Sequence, residues 1–79
     1  SLMKKKIKMV WVFTGIDAYK IANHHIIHLR EYMVSNDITM FDEGTEEVND
    51  YAANSFIVID STNLDKVKND LKPHQGFLV

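Results

Sequence analysis

The chain has 79 residues, with a formal net charge of −2, 46% hydrophobic residues and 25% charged residues, which is the composition of one small globular domain. A domain of this size buries only about 60% of the surface that its unfolded chain exposes, so few apolar positions can be spared from the core. The absence of cysteine excludes disulfides, thiolate metal sites and cysteine nucleophiles.

The only basic run is Lys4, Lys5, Lys6 and Lys8, and Asp42, Glu43, Glu46, Glu47 and Asp50 balance it. Recognition of phosphate backbones needs a broader basic face, so no nucleic-acid partner is expected. No apolar run reaches the roughly 18–20 residues of a membrane span, and the start has no cleavage site. Ser1-Leu2 ahead of Met3 reads as a cloning remnant, and the expected setting is cytoplasmic with no membrane partner.

Ile7 to Thr14 predicts a strand. Ile7, Met9, Trp11 and Phe13 alternate on one side, while Val10 and Val12 make the other side apolar too. Thr14-Gly15 marks a turn and Asp17 is a helix-cap candidate. From Asp17 to Ser35 the residues Ala18, Ala22, Ile26, Leu29 and Met33 draw one helical stripe, with Lys20, His24 and Glu31 opposite. Ser35-Asn36 closes the helix, since Asn tolerates a left-handed conformation.

Asp37–Asp42 predicts a short second strand, and polar Glu43 to Asn54 a long hairpin loop. Ser55–Asp60 carries Phe56-Ile57-Val58-Ile59, again apolar on both faces. Thr62 is the expected cap of a second helix, supported by Asp65 and buried through Leu64, Val67 and Leu71. Pro73 ends it, and Phe77-Leu78-Val79 is the last strand.

The order β-α-β-β-α-β predicts an α+β, ferredoxin-like domain spanning residues 1–79, with a four-stranded antiparallel sheet and two helices on one face. In that topology the first and third strands are central, which fits their unbroken apolar runs. The helix-free face then keeps about half of their apolar residues, and a homodimer joined through the sheets is the expected way to cover it.

His24-His25-Ile26-Ile27-His28 is the distinctive segment. His24 and His28 are four apart, as paired histidines are on zinc-enzyme helices, but the Glu of a His-Glu-x-x-His motif is missing. Two ligands alone do not define a site, so surface histidines, no metal and no cofactor are expected. His25 lies beside the buried stripe and should point toward the sheet. It is either a core-edge histidine hydrogen-bonded to backbone or water, or a general acid or base in a pocket. Trp11, Phe13, Asp17 and His28 are the candidate lining of such a pocket, although residues such as Trp11 and Phe13 are more often core than ligand platform. Asp42-Glu43 and Glu46-Glu47 are paired carboxylates expected in a solvated loop.

The pattern resembles the YCII-related family of the dimeric α+β barrel superfamily. The likeness runs from about Lys8 to Leu71: a loop acid (Asp17), the His-x-x-x-Leu of His25 to Leu29, and Asn36 in place of a glycine before strand two. Ser55-Phe56-Ile57-Val58-Ile59 followed by Asn63-Leu64-Asp65-Lys66-Val67 completes it. The family's Gly-Pro after strand two is Asp42-Glu43 here, and its Asp-Pro after the second helix is missing from Asp70-Leu71-Lys72-Pro73-His74-Gln75-Gly76. The resemblance implies a small-molecule ligand and a cofactor-independent lyase or isomerase, with His25 as the catalytic histidine and Asp70 as the nearest candidate for its acid. The alternative is a non-catalytic module, either an ACT-like ligand sensor or a structural dimer unit. A sensor of that type has Pro-Gly in the first loop, where this chain has Gly15-Ile16-Asp17-Ala18.

Overall fold

The structure, a computed structural model, describes residues 5–79. The basic Lys4, the Ser1-Leu2 pair and Met3 lie outside the described residues. Strands β1 (Lys6–Thr14), β2 (Met40–Asn49), β3 (Ala52–Asp60) and β4 (Gln75–Leu78) form one antiparallel sheet in the order β2-β3-β1-β4. Helix α1 (Ala18–Ser35) connects β1 to β2, and helix α2 (Leu64–Leu71) connects β3 to β4. The two strands with two-sided apolar runs, β1 and β3, are the inner pair. Among the described residues no helix is long and apolar enough to cross a membrane.

Alternation along the strands divides the sheet chemically. Ile7, Met9 and Trp11 of β1 and Ile57 and Ile59 of β3 point to one side. There they form a single buried cluster with Ile26, Leu29 and Met33 of α1 and Val67 of α2. Both helices therefore cover the same face. On the other face Val10 and Val58 are buried although neither helix lies over them. Phe56 and Val12 are half-buried beside them, and Phe41 and Phe77 are exposed.

The buried stripe of α1 is Ala18, Ala22, Ile26, Leu29 and Met33, as the periodicity predicts. Its first turns are held to β3 by small residues. Ala18 and Ala22 pack on Ala53, and the buried Ser55 hydroxyl donates to the Ala22 carbonyl at 2.7 Å. The left-handed residue that ends the helix is Asp37 (φ 54°), not Asn36 (φ −103°). The Ile38 amide donates back to the Met33 carbonyl at 2.9 Å and the Asp37 amide to the Val34 carbonyl at 3.2 Å, a Schellman closure that seats Ile38 against the core. Asp37 takes the strained position because Ile38, one residue on, must turn inward.

The β2–β3 hairpin differs most from its expectation. The predicted loop from Glu43 to Asn54 is strand for most of its length, with a tight turn at Asp50-Tyr51. Asp42, Glu43, Glu46 and Glu47 are thus strand residues of β2 and do not form a solvated loop. β2 is an edge strand, paired only with β3. Charges on an edge discourage pairing with other chains, so the composition that suggests a loop is the composition an edge strand needs. Register shifts at Met40/Asp42 and Glu47/Asn49 bend the same strand further.

Smaller differences have local causes. Asp17 stands at the N-terminus of α1 but makes no side-chain cap bond. Thr62 is not a cap either. Its amide is the donor, to the Asp60 carboxylate at 3.0 Å, and Ser61–Asn63 form a 3-10 turn leading into α2. Lys72 (φ 49°) reverses the chain ahead of Pro73, and β4 begins at Gln75, two residues before the predicted Phe77.

The assigned helical phase is testable by paired truncations. Leu29 is 1% exposed and Ile27 is 50% exposed. Leu29→Ala should cost about 2–5 kcal/mol in urea unfolding, whereas Ile27→Ala should stay within about 0.5 kcal/mol. Equal losses would mean that α1 is rotated about its axis.

Candidate functional site

His25 projects from the edge of the buried stripe of α1 toward the end of β1. Its ring centroid lies 5.4 Å from that of Trp11 and 5.2 Å from that of Phe13, tilted to both. Trp11 is fixed from the far side, because its indole N–H donates to the Leu71 carbonyl at 2.8 Å. Phe13 is partly buried and touches both the main core and the alanine cluster. The histidine is therefore held by two aromatic rings anchored in the fold, half-buried.

Within this contact the His25 Nε2 is buried and has no hydrogen-bond partner among the described residues. Burial lowers the pKa of the ring below its ordinary value of 6.5, and the positive charges that His28, His24 and His74 can carry lower it further. The neutral imidazole is the form this environment favours.

The other predicted site residues fall in separate places. Asp70 accepts the Tyr32 hydroxyl at 2.6 Å and lies 3.7 Å from the Lys66 ammonium. Partial burial, then the hydrogen bond and charge of Asp70, push the Tyr32 phenol up to about 12. Asp17 borders a surface hollow of about 500 Å³ with Lys20, Ile21 and His24, on the outer side of α1. His28 is exposed. Its Nε2 is 3.0 Å from the His24 Nε2, and its Nδ1 is 3.1 Å from Glu31 Oε1. Trp11, Phe13 and His25 are thus together, while Asp17, His28 and Asp70 have other neighbours.

Two residues that the sequence reading passed over belong to this end of the sheet. His74 continues the pairing of β1 beyond the short β4: its amide donates to the Val10 carbonyl at 2.9 Å, and its Nδ1 accepts from the Val12 amide at 2.9 Å. That bond requires a lone pair on Nδ1, and so places the proton of the neutral ring on Nε2. Nothing in the sequence around His74 announces this role. Tyr32 had a usable signal, since it follows His25 by seven residues and so lies on the same ridge of α1.

The helix-free face carries a second hollow, of about 510 Å³, lined by Lys6, Lys8, Phe41, Asp42, Glu46 and Phe56 among others. Lys8 Nζ lies 4.4 Å above the Phe56 ring and 3.0 Å from Glu46 Oε1, and Lys6 Nζ lies 4.5 Å above the Phe41 ring. Gly44 makes room beneath, because a Cβ there would meet the Phe56 ring at 3.1 Å. Among the described residues no group of three or more His, Cys, Asp or Glu side chains is placed to hold a metal ion. No protein-family model, curated protein or solved structure matches the chain.

The lowered pKa of His25 has a sign that can be checked. In the unfolded chain the ring takes a proton near pH 6.5, and in the folded chain it does so at lower pH. Between those values the unfolded state binds more protons. The stability due to a neutral His25 is therefore complete above about pH 6.5 and is lost as the pH falls toward the folded-state value. Urea unfolding followed through this range should show a slope that His25→Gln flattens, and a ring titration by NMR should place His25 below 6.5.

Proposed function

We propose that this chain is a non-catalytic, self-associating module of ferredoxin-like topology, in which two copies meet through their helix-free sheet faces. The observation that carries this reading is the band of Val12, Phe56 and Phe77 around the buried Val10 and Val58, on the face that neither helix covers. The β2-β3-β1-β4 order, with β1 and β3 inside, supports the topology. A second copy suits this face because the face carries both signs of charge. Lys6 and Lys8 stand on β1, and Asp42 and Glu46 on β2, so a two-fold arrangement can bring the lysines of one copy to the acids of the other. A catalytic reading has less support, since Asp70 is engaged by Tyr32 and Lys66 and the His25 Nε2 has no partner.

That same unpartnered nitrogen favours a second reading, the one the YCII-related resemblance implies: a small ligand hydrogen-bonded to His25 beside Trp11 and Phe13. Buried polar atoms without partners are uncommon, and a ligand would satisfy this one once the rings of Trp11 and Phe13 part to admit it.

Sedimentation equilibrium distinguishes the association. At about 100 μM, well above the micromolar dissociation constants of modest interfaces, the chain should sediment at twice its monomer mass. Val12→Lys together with Phe77→Lys should yield a monomer with an unchanged circular dichroism spectrum, because both positions face away from the helices. A wild-type monomer at that concentration, or a double variant that still dimerises, would refute the proposal.

A further inference from the structure

The solvent side of α1 brings together two ring nitrogens for which the fold has no evident structural use. His24 and His28 are both exposed, one helical turn apart, with their Nε2 atoms 3.0 Å from each other. The ring centroids are 4.6 Å apart and the planes are inclined at 82°. Rings meeting head-on would hold their centroids farther apart than this, so the two nitrogens meet at an angle. Two imidazole nitrogens each about 2.0–2.1 Å from one metal ion, at ligand angles of about 90–110°, lie about 2.8–3.4 Å apart. The observed separation falls inside that range.

The proton inventory points the same way. The His28 Nδ1 lies 3.1 Å from the Glu31 carboxylate. A neutral imidazole has one N–H, and if that proton is given to Glu31 the Nε2 of His28 bears a lone pair. This is the carboxylate–histidine arrangement that orients metal-binding imidazoles and raises their basicity. In that tautomer the His24 Nε2, 3.0 Å away, is placed to donate to the lone pair. With the His24 proton on Nδ1, both Nε2 atoms bear lone pairs 3.0 Å apart, a spacing at which one cation can take both.

We infer that His24 and His28 form a two-point site for an imidazole-preferring divalent transition-metal ion, with Glu31 positioning His28. Spacing alone left these residues as surface histidines, and the ring geometry is what goes beyond it. Since no third protein ligand joins them among the described residues, water or another exchangeable ligand fills the remaining positions. The site is therefore reversible and labile, unlike a closed structural zinc site. Nitrogen ligands select Cu²⁺, Ni²⁺ and Zn²⁺ over Mg²⁺ and Ca²⁺, with Cu²⁺ bound most tightly.

Calorimetric titration of the full chain with copper, nickel and zinc chlorides, alongside NMR of the histidine rings, tests this inference. The expected result is one equivalent of metal, copper tightest, with the largest ring shifts at His24 and His28. His24→Gln and His28→Gln should each weaken binding at least tenfold, and Glu31→Gln should weaken it by about tenfold, as removal of an orienting carboxylate does. His74→Gln should leave affinity within twofold, since its Nδ1 is occupied by the Val12 amide. His24, His28 and Glu31 are exposed, so these variants keep the fold. No binding at millimolar metal, or His24→Gln and His28→Gln binding like the wild type, would overturn the inference.

Discussion

The placement of every candidate residue depends on one seam, where the first turns of α1 lie on β3. Ala18, Ala22 and Ala53 leave nothing larger than a methyl group between helix and strand, and Ser55 donates its hydroxyl into the helix at Ala22. A buried hydroxyl without that acceptor would cost about 1–3 kcal/mol, so the bond constrains rotation of α1 as well as its height. Once Ala22 is fixed downward, the helical period does the rest. Ile26, Leu29 and Met33 fall on the core, His25 falls on its border against Trp11 and Phe13, and His24 and His28 fall outward. A rotation of α1 by one residue, about 100°, would carry His24 into the place of His25 and His25 into that of Ile26.

This dependence explains what could be read from the sequence. The stripe of α1, the inner strands β1 and β3, and the inward lean of His25 all follow from periodicity, because burial on one side leaves a repeating mark. β2 left such a mark only at its start, where the strand predicted over Asp37–Asp42 overlaps it at Met40–Asp42. As an edge strand it has little to bury, and Glu43, Glu46 and Glu47 serve its solubility, so its pattern is that of a loop. The helix caps were obscure for a different reason. Asp17 stands at the N-cap position without making a cap bond, and at Asn36 and Thr62 the neighbouring Asp37 and Asp60 satisfied the requirement. Local chemistry identified the kind of residue and left its position open to within one or two.

The candidate site divides along the same line. Helical phase can say which side of α1 a histidine occupies, but it cannot say where the ring turns. The contact of His25 with two aromatic rings, the approach of the His24 and His28 nitrogens, and the engagement of Asp70 by Tyr32 are all rotamer facts set by three-dimensional neighbours. The role of His74 is still less legible, because it depends on β4 being too short to pair with Val12, a property of tertiary packing with no local signature.

The helix-free face shows how the two chemical faces of the sheet can coexist in so small a chain. Lys6 and Lys8 lay their stems and ammonium groups over Phe41 and Phe56, and Glu46 holds Lys8 in place. Exposed cation–π contacts are worth about 0.5–1 kcal/mol each, and an exposed ion pair about 0–1 kcal/mol. The cover is therefore weak, though it is enough to keep aromatic rings partly out of water in a single copy. Burying an exposed Phe or Val side chain gains about 1.5–3 kcal/mol, so lifting the lysines is favourable once several such residues can be buried together. Against this stands the loss of rigid-body freedom on association, about 4–15 kcal/mol, which is of the same order as the total gain from a face this small. In the proposed pair the balance is decided by the displaced lysines. If they find Asp42 and Glu46 of the other copy, the charges lifted from one face are satisfied on the next, and apolar burial and ion pairing favour the same two-fold register.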